Sequence, residues 1–179
     1  MLNPWLIAPL ILGYGTAAAW LLRLFKPTTK LNHLGNLSTG FSVAFGEELI
    51  FRYGIMHLFL INYIGLDPNI ALITSASIFS ILHFLAGMYR NGIEYDTDIE
   101  FIMIAIGLFL LGCVTGKYFL TSGNIINGMI FHAMAIFAVQ TLTGIMNNEG
   151  AANKWIIDNG HQFIRLPYAW AIMILFLIK

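Results

Sequence analysis

The chain has 179 residues, 58% of them hydrophobic and 10% charged, with a mean hydropathy of +0.77 and a formal net charge of zero. A soluble domain carries about 25% charged residues, so this composition excludes one and points to a protein built into the lipid bilayer. No long basic run is present, which argues against a nucleic-acid partner, and Cys113, the single cysteine, excludes an internal disulfide.

The apolar stretches predict an all-α, polytopic transmembrane helical bundle of about six spans. It is expected to form a single membrane domain over residues 1–179, with a motif-bearing core at about 41–146. The first span covers about residues 4–25. It lacks the positive flank of a secretory signal and is expected to be retained. Gly13 and Ala17, and Gly15 and Ala19, lie four apart, a small-residue spacing that lets helix backbones approach. Arg23, Lys26 and Lys30 follow without an acid among them, which marks this connection as cytoplasmic.

The second span, about 41–66, holds Glu47, Glu48 and Arg52. A charged side chain near the centre of a spanning helix costs on the order of 3 kcal/mol, whereas a Leu, Ile, Phe or Val contributes only roughly 0.5 in its favour. This helix therefore needs polar partners from neighbouring spans. Glu48 and Arg52 are four apart and share a face, while Glu47 points about 100° away. One carboxylate is thus matched within the helix and the other is left over. His57, further along, reads as a packed or interfacial imidazole.

A turn at Asp67-Pro68-Asn69 leads to the third span, about 70–89, where Phe79 and His83 lie four apart on one face. Counting residues along antiparallel neighbours puts Glu47 and His83 at similar depth. The acidic loop up to Glu100 lacks the length and central glycine of a calcium loop, and Thr97 with Glu100 fits a capping box. The fourth span, about 101–120, carries Gly112 and Gly116 in close-packing spacing, and Lys117 can snorkel to the interface. The fifth, ending near 146, contains His132, and counting leaves it some 10 Å from the depth of Glu47.

Residues 147–166 suit an interfacial connector. The final 167–179 stretch is too short, at roughly 20 Å as a helix, for a 30 Å core. Arg23, Lys26, Lys30, Arg90, Lys154 and Arg165 fall on one side of this topology, against Lys117 and Lys179 on the other. The expected orientation has the amino terminus outside and the Glu47 end facing the cytoplasm.

One unmatched glutamate and two histidines, each on a different span, allow several chemistries. A Glu/His pair can activate water while a second imidazole stabilises an oxyanion. The same three groups could bind zinc, although an HExxH motif is absent. No Gly-x-Ser-x-Gly turn exists, and Cys113 has no neighbouring base, which disfavours a covalent nucleophile.

The order Glu47-Glu48-x-x-x-Arg52, Phe79-x-x-x-His83 and a later His132 resembles the CPBP family of intramembrane proteases. That family is also called Abi or CAAX-protease and includes the Rce1-type prenyl-protein endopeptidases. The resemblance covers about residues 41–136. It implies that Glu47 activates water with the help of His83, that Glu48, Arg52 and Phe79 support the site, and that His132 helps bind the oxyanion. It implies no cofactor, and a glutamate mechanism without a metal ion although the family is often labelled metalloprotease.

The implied partner is a membrane-anchored or lipidated protein substrate cut near its C-terminal region. The expected location is a prokaryotic plasma membrane. The chain departs from the family pattern at Ile136, where the third motif has Asn or Asp four residues after the histidine. Asn127 and Gln140 are candidate replacements, although neither lies on the face of His132 at ideal helical spacing. Two rival classes use the same residues: a non-catalytic membrane scaffold or immunity protein, and a proton- or metal-coupled transporter, against which no inverted repeat is visible.

Overall fold

The computed structural model describes residues 3–21, 33–91, 98–145 and 174. Among these residues there are no strands, and five helices follow one another along the chain. A short 3-10 turn, Pro4–Leu6, leads into α1, Ile7–Leu21. Helix α2, His33–Glu48, continues directly into a π-helical segment, Leu49–Tyr63. Helices α3, Pro68–Asn91, α4, Asp98–Ser122, and α5, Ile125–Ile145, complete the set. The capping box at Thr97, the basic cluster at 23–30, the interfacial segment at 147–166 and the final apolar stretch fall outside the described residues, apart from Ile174.

Two tight connections are set by local chemistry. Gly65, at φ 81°, ends the π segment in the left-handed region that a side chain would resist. Asp67 then caps α3: its Oδ1 accepts the N–H of Asn69 at 2.8 Å and of Ile70 at 3.3 Å, and Pro68 occupies the first turn, where an N–H has no helical partner. Gly123, at φ 64°, makes the second connection, and Asn124 accepts the N–H of Ile126 at 2.9 Å to open α5.

Helices α3, α4 and α5 each contain a stretch long and apolar enough to cross a membrane, at Pro68–Ala86, Ala105–Ser122 and Ile125–Leu142. Trp20, Leu34, Phe45 and Ile50 point outward, as expected where hydrocarbon rather than water is the solvent. Helix α2 lies antiparallel along α5: Asn36 donates to Thr141 near one end, and Glu48 approaches Gly128 near the other. A Cβ on Gly40 would meet the Ala133 carbonyl at 2.8 Å, so this glycine is what allows the two backbones to touch.

Helix α3 packs on α4 in the same manner, with Gly112 against Ala76 and Gly116 against Leu72. In α1 the small residues divide. Gly15 is buried against Leu142, whereas Gly13 and Ala17 face outward, and nothing lies within 4 Å of a Cβ built on Gly13. The expected close approach is therefore made by one of the three small residues whose surroundings are described, Gly15, and not by the Gly13/Ala17 pair.

Candidate active site

The polar cluster forms where α2 passes into its π-helical continuation and three other helices converge. Glu47 and Glu48 are consecutive, so their side chains leave α2 in different directions. Glu48 turns inward and is fully buried, as is Arg52, and the Arg52 Nε stands 3.4 Å from Glu48 Oε2. Arg52 Nε donates to the Thr115 hydroxyl of α4 at 2.8 Å, and Nη1 donates to the Ser75 hydroxyl of α3 at 3.2 Å. Ser75 in turn donates to the Phe51 carbonyl at 2.9 Å, satisfying a backbone acceptor in the π segment.

Glycines make the room for this buried ion pair. A Cβ on Gly112 would come within 3.2 Å of Arg52 Nη2, and one on Gly128 within 3.3 Å of Glu48 Oε2 and 3.0 Å of the Thr115 carbonyl. Neither Arg52 Nη2 nor Glu48 Oε2 has a hydrogen-bond partner among the described residues, so their mutual charge is the main compensation for burying these atoms.

Glu47 turns the other way and keeps 24% side-chain exposure, against 1% for Glu48. Its Oε1 lies 2.9 Å from Nε2 of His83, on α3, and its Oε2 lies 3.4 Å from Nε2 of His132, on α5. His83 Nδ1 donates to the Phe79 carbonyl one turn back at 2.8 Å, which fixes the ring orientation. His132 Nδ1 lies 2.9 Å from Glu48 Oε1. Each carboxylate oxygen of Glu47 is thus opposed by an imidazole from a different helix, and the two glutamates are bridged by His132.

Phe79 is the apolar partition of the site. Its ring centroid is 4.2 Å from that of His83 and 5.9 Å from that of His132, and it carries the Arg52 guanidinium at 5.0 Å on its face. Phe51 packs edge-on to it at 5.0 Å.

The structure brings together all six residues singled out from the sequence: Glu47, Glu48, Arg52, Phe79, His83 and His132. It corrects the expected 10 Å depth difference between Glu47 and His132. Helix α2 begins at His33 instead of near Phe41, so Glu47 stands fourteen residues from that end and His132 thirteen residues from Ile145. Ile136 is half-buried, and no contact in the described structure ties Asn127 or Gln140 to the cluster; Gln140 Oε1 is buried without a hydrogen-bond partner there. Ser75 and Thr115 escaped the sequence reading. Their signal was a hydroxyl inside each of two apolar spans, Thr115 lying between Gly112 and Gly116.

Among the described residues no three His, Cys, Asp or Glu side chains are grouped to hold a metal ion, and the Glu47–His83 contact has the length of a direct hydrogen bond.

A helical membrane protein with a buried acid, a guanidinium and two imidazoles converging from three helices defines the class. Residues 30–138 match the family model of the Rce1-like type II CAAX prenyl endopeptidases, and the chain belongs to that family. No curated protein and no solved structure matches it.

Proposed function

We propose that the protein is a multi-pass intramembrane endopeptidase that hydrolyses a peptide bond near the membrane-associated C-terminal region of a protein substrate. Glu47 is the base that activates water, assisted by His83, and His132 is the third group at the reacting carbonyl. Glu48, Arg52 and Phe79 hold these groups in place. The substrate is membrane-anchored or lipidated, and the setting is a prokaryotic plasma membrane.

The observation that carries this reading is the inequality of two adjacent carboxylates. Glu48 is sealed and matched by Arg52, whereas Glu47 is partly open and faced by two imidazole Nε2 atoms. A group that must meet both water and substrate has to be the accessible one, and proton transfer needs partners within hydrogen-bond reach. The membrane supports the substrate class, because a scissile bond next to a lipid-embedded tail arrives already concentrated and oriented at the bilayer.

The test compares the C-terminus of a membrane-anchored substrate by mass spectrometry after exposure to native protein or to Glu47→Gln, with expression and thermal stability matched. Cleavage by the native protein and none by the variant is expected. Cleavage that survives in Glu47→Gln rules the reading out. Ile136, which supplies no hydrogen-bond donor beside His132, favours the alternative of a non-catalytic scaffold or immunity protein of the same family. That alternative predicts the same biological output from both proteins.

A further inference from the structure

We propose that Gly46 is a substrate-contact residue: the substrate chain crosses α2 in an extended form over its bare backbone, between Val43 and Ile50, and so brings the scissile amide to Glu47. The inference rests on the protease reading above and adds to it the path by which the chain reaches the base.

Glycine is, after proline, the poorest residue for a helix interior, so its presence in a spanning helix is informative when neither turn geometry nor packing requires it. Of the glycines whose surroundings are described, Gly65 and Gly123 take the left-handed conformation. Gly15, Gly40, Gly112, Gly116 and Gly128 stand where an added Cβ would come to 3.0 Å or closer to a neighbouring helix. Gly46 has neither reason. It lies inside α2, outside the left-handed region, and nothing in the described structure is within 4 Å of a Cβ built on it. Gly13 is equally open, but it belongs to α1, which contributes no residue to the polar cluster.

The place of Gly46 sets it apart. It immediately precedes Glu47 and is half-buried. Val43, three residues before it, and Ile50, four after, share its face of the helix, and both are exposed. The same two residues lie four before and three after Glu47, so they flank a gap with Gly46 on one side and the carboxylate on the other. The inner side of the cluster is closed by Phe51, Phe79 and the Glu48–Arg52 pair, all buried. The exposed fractions of Glu47 and His83, 24% and 29%, therefore belong to the outer side. Leu82, next to His83 in α3, is exposed as well. Gly46 is a notch in an otherwise apolar rim.

An amide is attacked only when it comes to about 3–3.5 Å from the reacting atom. In a bilayer, where association depends on close packing rather than on expulsion of water, small residues are what let one backbone approach another. A glycine beside the base offers that approach to a chain that is not part of the fold. The apolar side chains around it suit the residues of a membrane-anchored tail, and the bare backbone between them suits the peptide itself.

The test uses the full chain in phosphatidylcholine vesicles with a model substrate, a single anchored helix that carries a C-terminal tail. Gly46→Ala and Gly46→Leu are compared with Gly13→Ala. Gly46→Ala is expected to melt no lower than the native protein, and both Gly46 variants to lose kcat/KM in order of size, Leu by about 10²-fold, the loss a small misplacement of substrate causes. Their pH–rate profiles are expected to keep the native midpoint, because Glu47 and its two imidazoles are untouched, and Gly13→Ala to keep the native kcat/KM. Unchanged kcat/KM in Gly46→Leu, a lower melting temperature in Gly46→Ala or a displaced pH midpoint overturns the proposal. Contact is read without turnover by adding Gly46→Cys to Glu47→Gln and oxidising it with a substrate whose tail carries one cysteine, moved along its length. Cys113, the single native cysteine, is buried and does not compete. A disulfide to the tail is expected from position 46 and none from Gly13→Cys; no disulfide from position 46 overturns the proposal. Cleavage that survives in Glu47→Gln defeats the protease reading instead, and the disulfide still decides whether the chain passes over Gly46.

Discussion

Glu48 and Arg52 face each other at 3.4 Å with both side chains shut off from solvent and lipid. Removing either partner leaves the other charge buried alone, which in protein interiors costs about 3–5 kcal/mol, whereas replacing both by groups of similar volume is often neutral. Arg52→Met is therefore expected to destabilise the protein by about that amount, and Glu48→Gln with Arg52→Met to cost less than the sum of the single changes. Reversible unfolding in mixed detergent micelles, analysed as a double-mutant cycle, checks this.

The glycines around that pair differ in what surrounds them. A Cβ at Gly112 would lie 3.0 Å from the Ala76 backbone, which cannot yield as a flexible side chain does, so Gly112→Ala is expected to cost about 1–3 kcal/mol. Gly13→Ala meets nothing within 4 Å and is expected to be neutral or slightly stabilising, by up to about 1 kcal/mol, because alanine is the better helix former. Equal stabilities for the two variants in the same unfolding assay would refute the packing account.

Thr115 gives Arg52 Nε its 2.8 Å acceptor. Thr115→Val keeps the shape and removes that acceptor, leaving a buried N–H unpaired at a cost of about 1–3 kcal/mol. Thr115→Ser keeps the hydroxyl and is expected to recover most of the loss. The comparison of the two melting temperatures reads the hydrogen bond apart from the volume.

His83 is only partly buried, so its replacement should spare the fold and strike the chemistry. His83→Gln is expected to lower turnover of a membrane-anchored substrate by about 10²- to 10⁴-fold, the usual range for a positioned acid–base group. Phe79→Ala should do both. Its ring is fully buried between Arg52, Phe51 and the two imidazoles, and truncation of such a ring costs about 3–5 kcal/mol. Stability and turnover measured side by side distinguish these outcomes.

Ile136 lies one helical turn beyond His132 and is half-buried. Asparagine at this position restores the residue of the family pattern and offers the oxyanion an N–H. Removing one such donor costs about 10²- to 10³-fold in other hydrolases, so Ile136→Asn is expected to raise turnover within that range. An unchanged or lower rate in a stable variant would show that the oxyanion is served by other groups.

Much of the site was legible because charge in an apolar span has few explanations. The split between a matched Glu48 and an unmatched Glu47 followed from their 100° separation, and the nearness of Glu47 to His83 followed from residue counting. The depth of His132 did not, because the first turns of α2 are polar and small: Asn36, Ser38, Thr39 and Gly40 hide the helix from a search for apolar residues. Those residues are used against α5, through Asn36–Thr141 and Gly40–Ala133. Starting at His33 instead of Phe41 adds eight residues, or about 12 Å, and removes the discrepancy. The π-helical turns after Glu48 left no trace in side-chain pattern, since they are a choice of backbone hydrogen bonding. Ser75 and Thr115 were missed because a lone hydroxyl in a span can equally bond its own helix.

The two rings that face Glu47 are separated by forty-nine positions in the chain, one on each of two successive hairpins. A growing polypeptide emerging at about 5–20 residues per second therefore spends several seconds in the bilayer with the acid and its first imidazole but without the second. During that interval the bridge between the adjacent glutamates does not exist. The cluster is complete only with the last described helix, so under the proposed function the event that finishes its assembly is also the one that arms it.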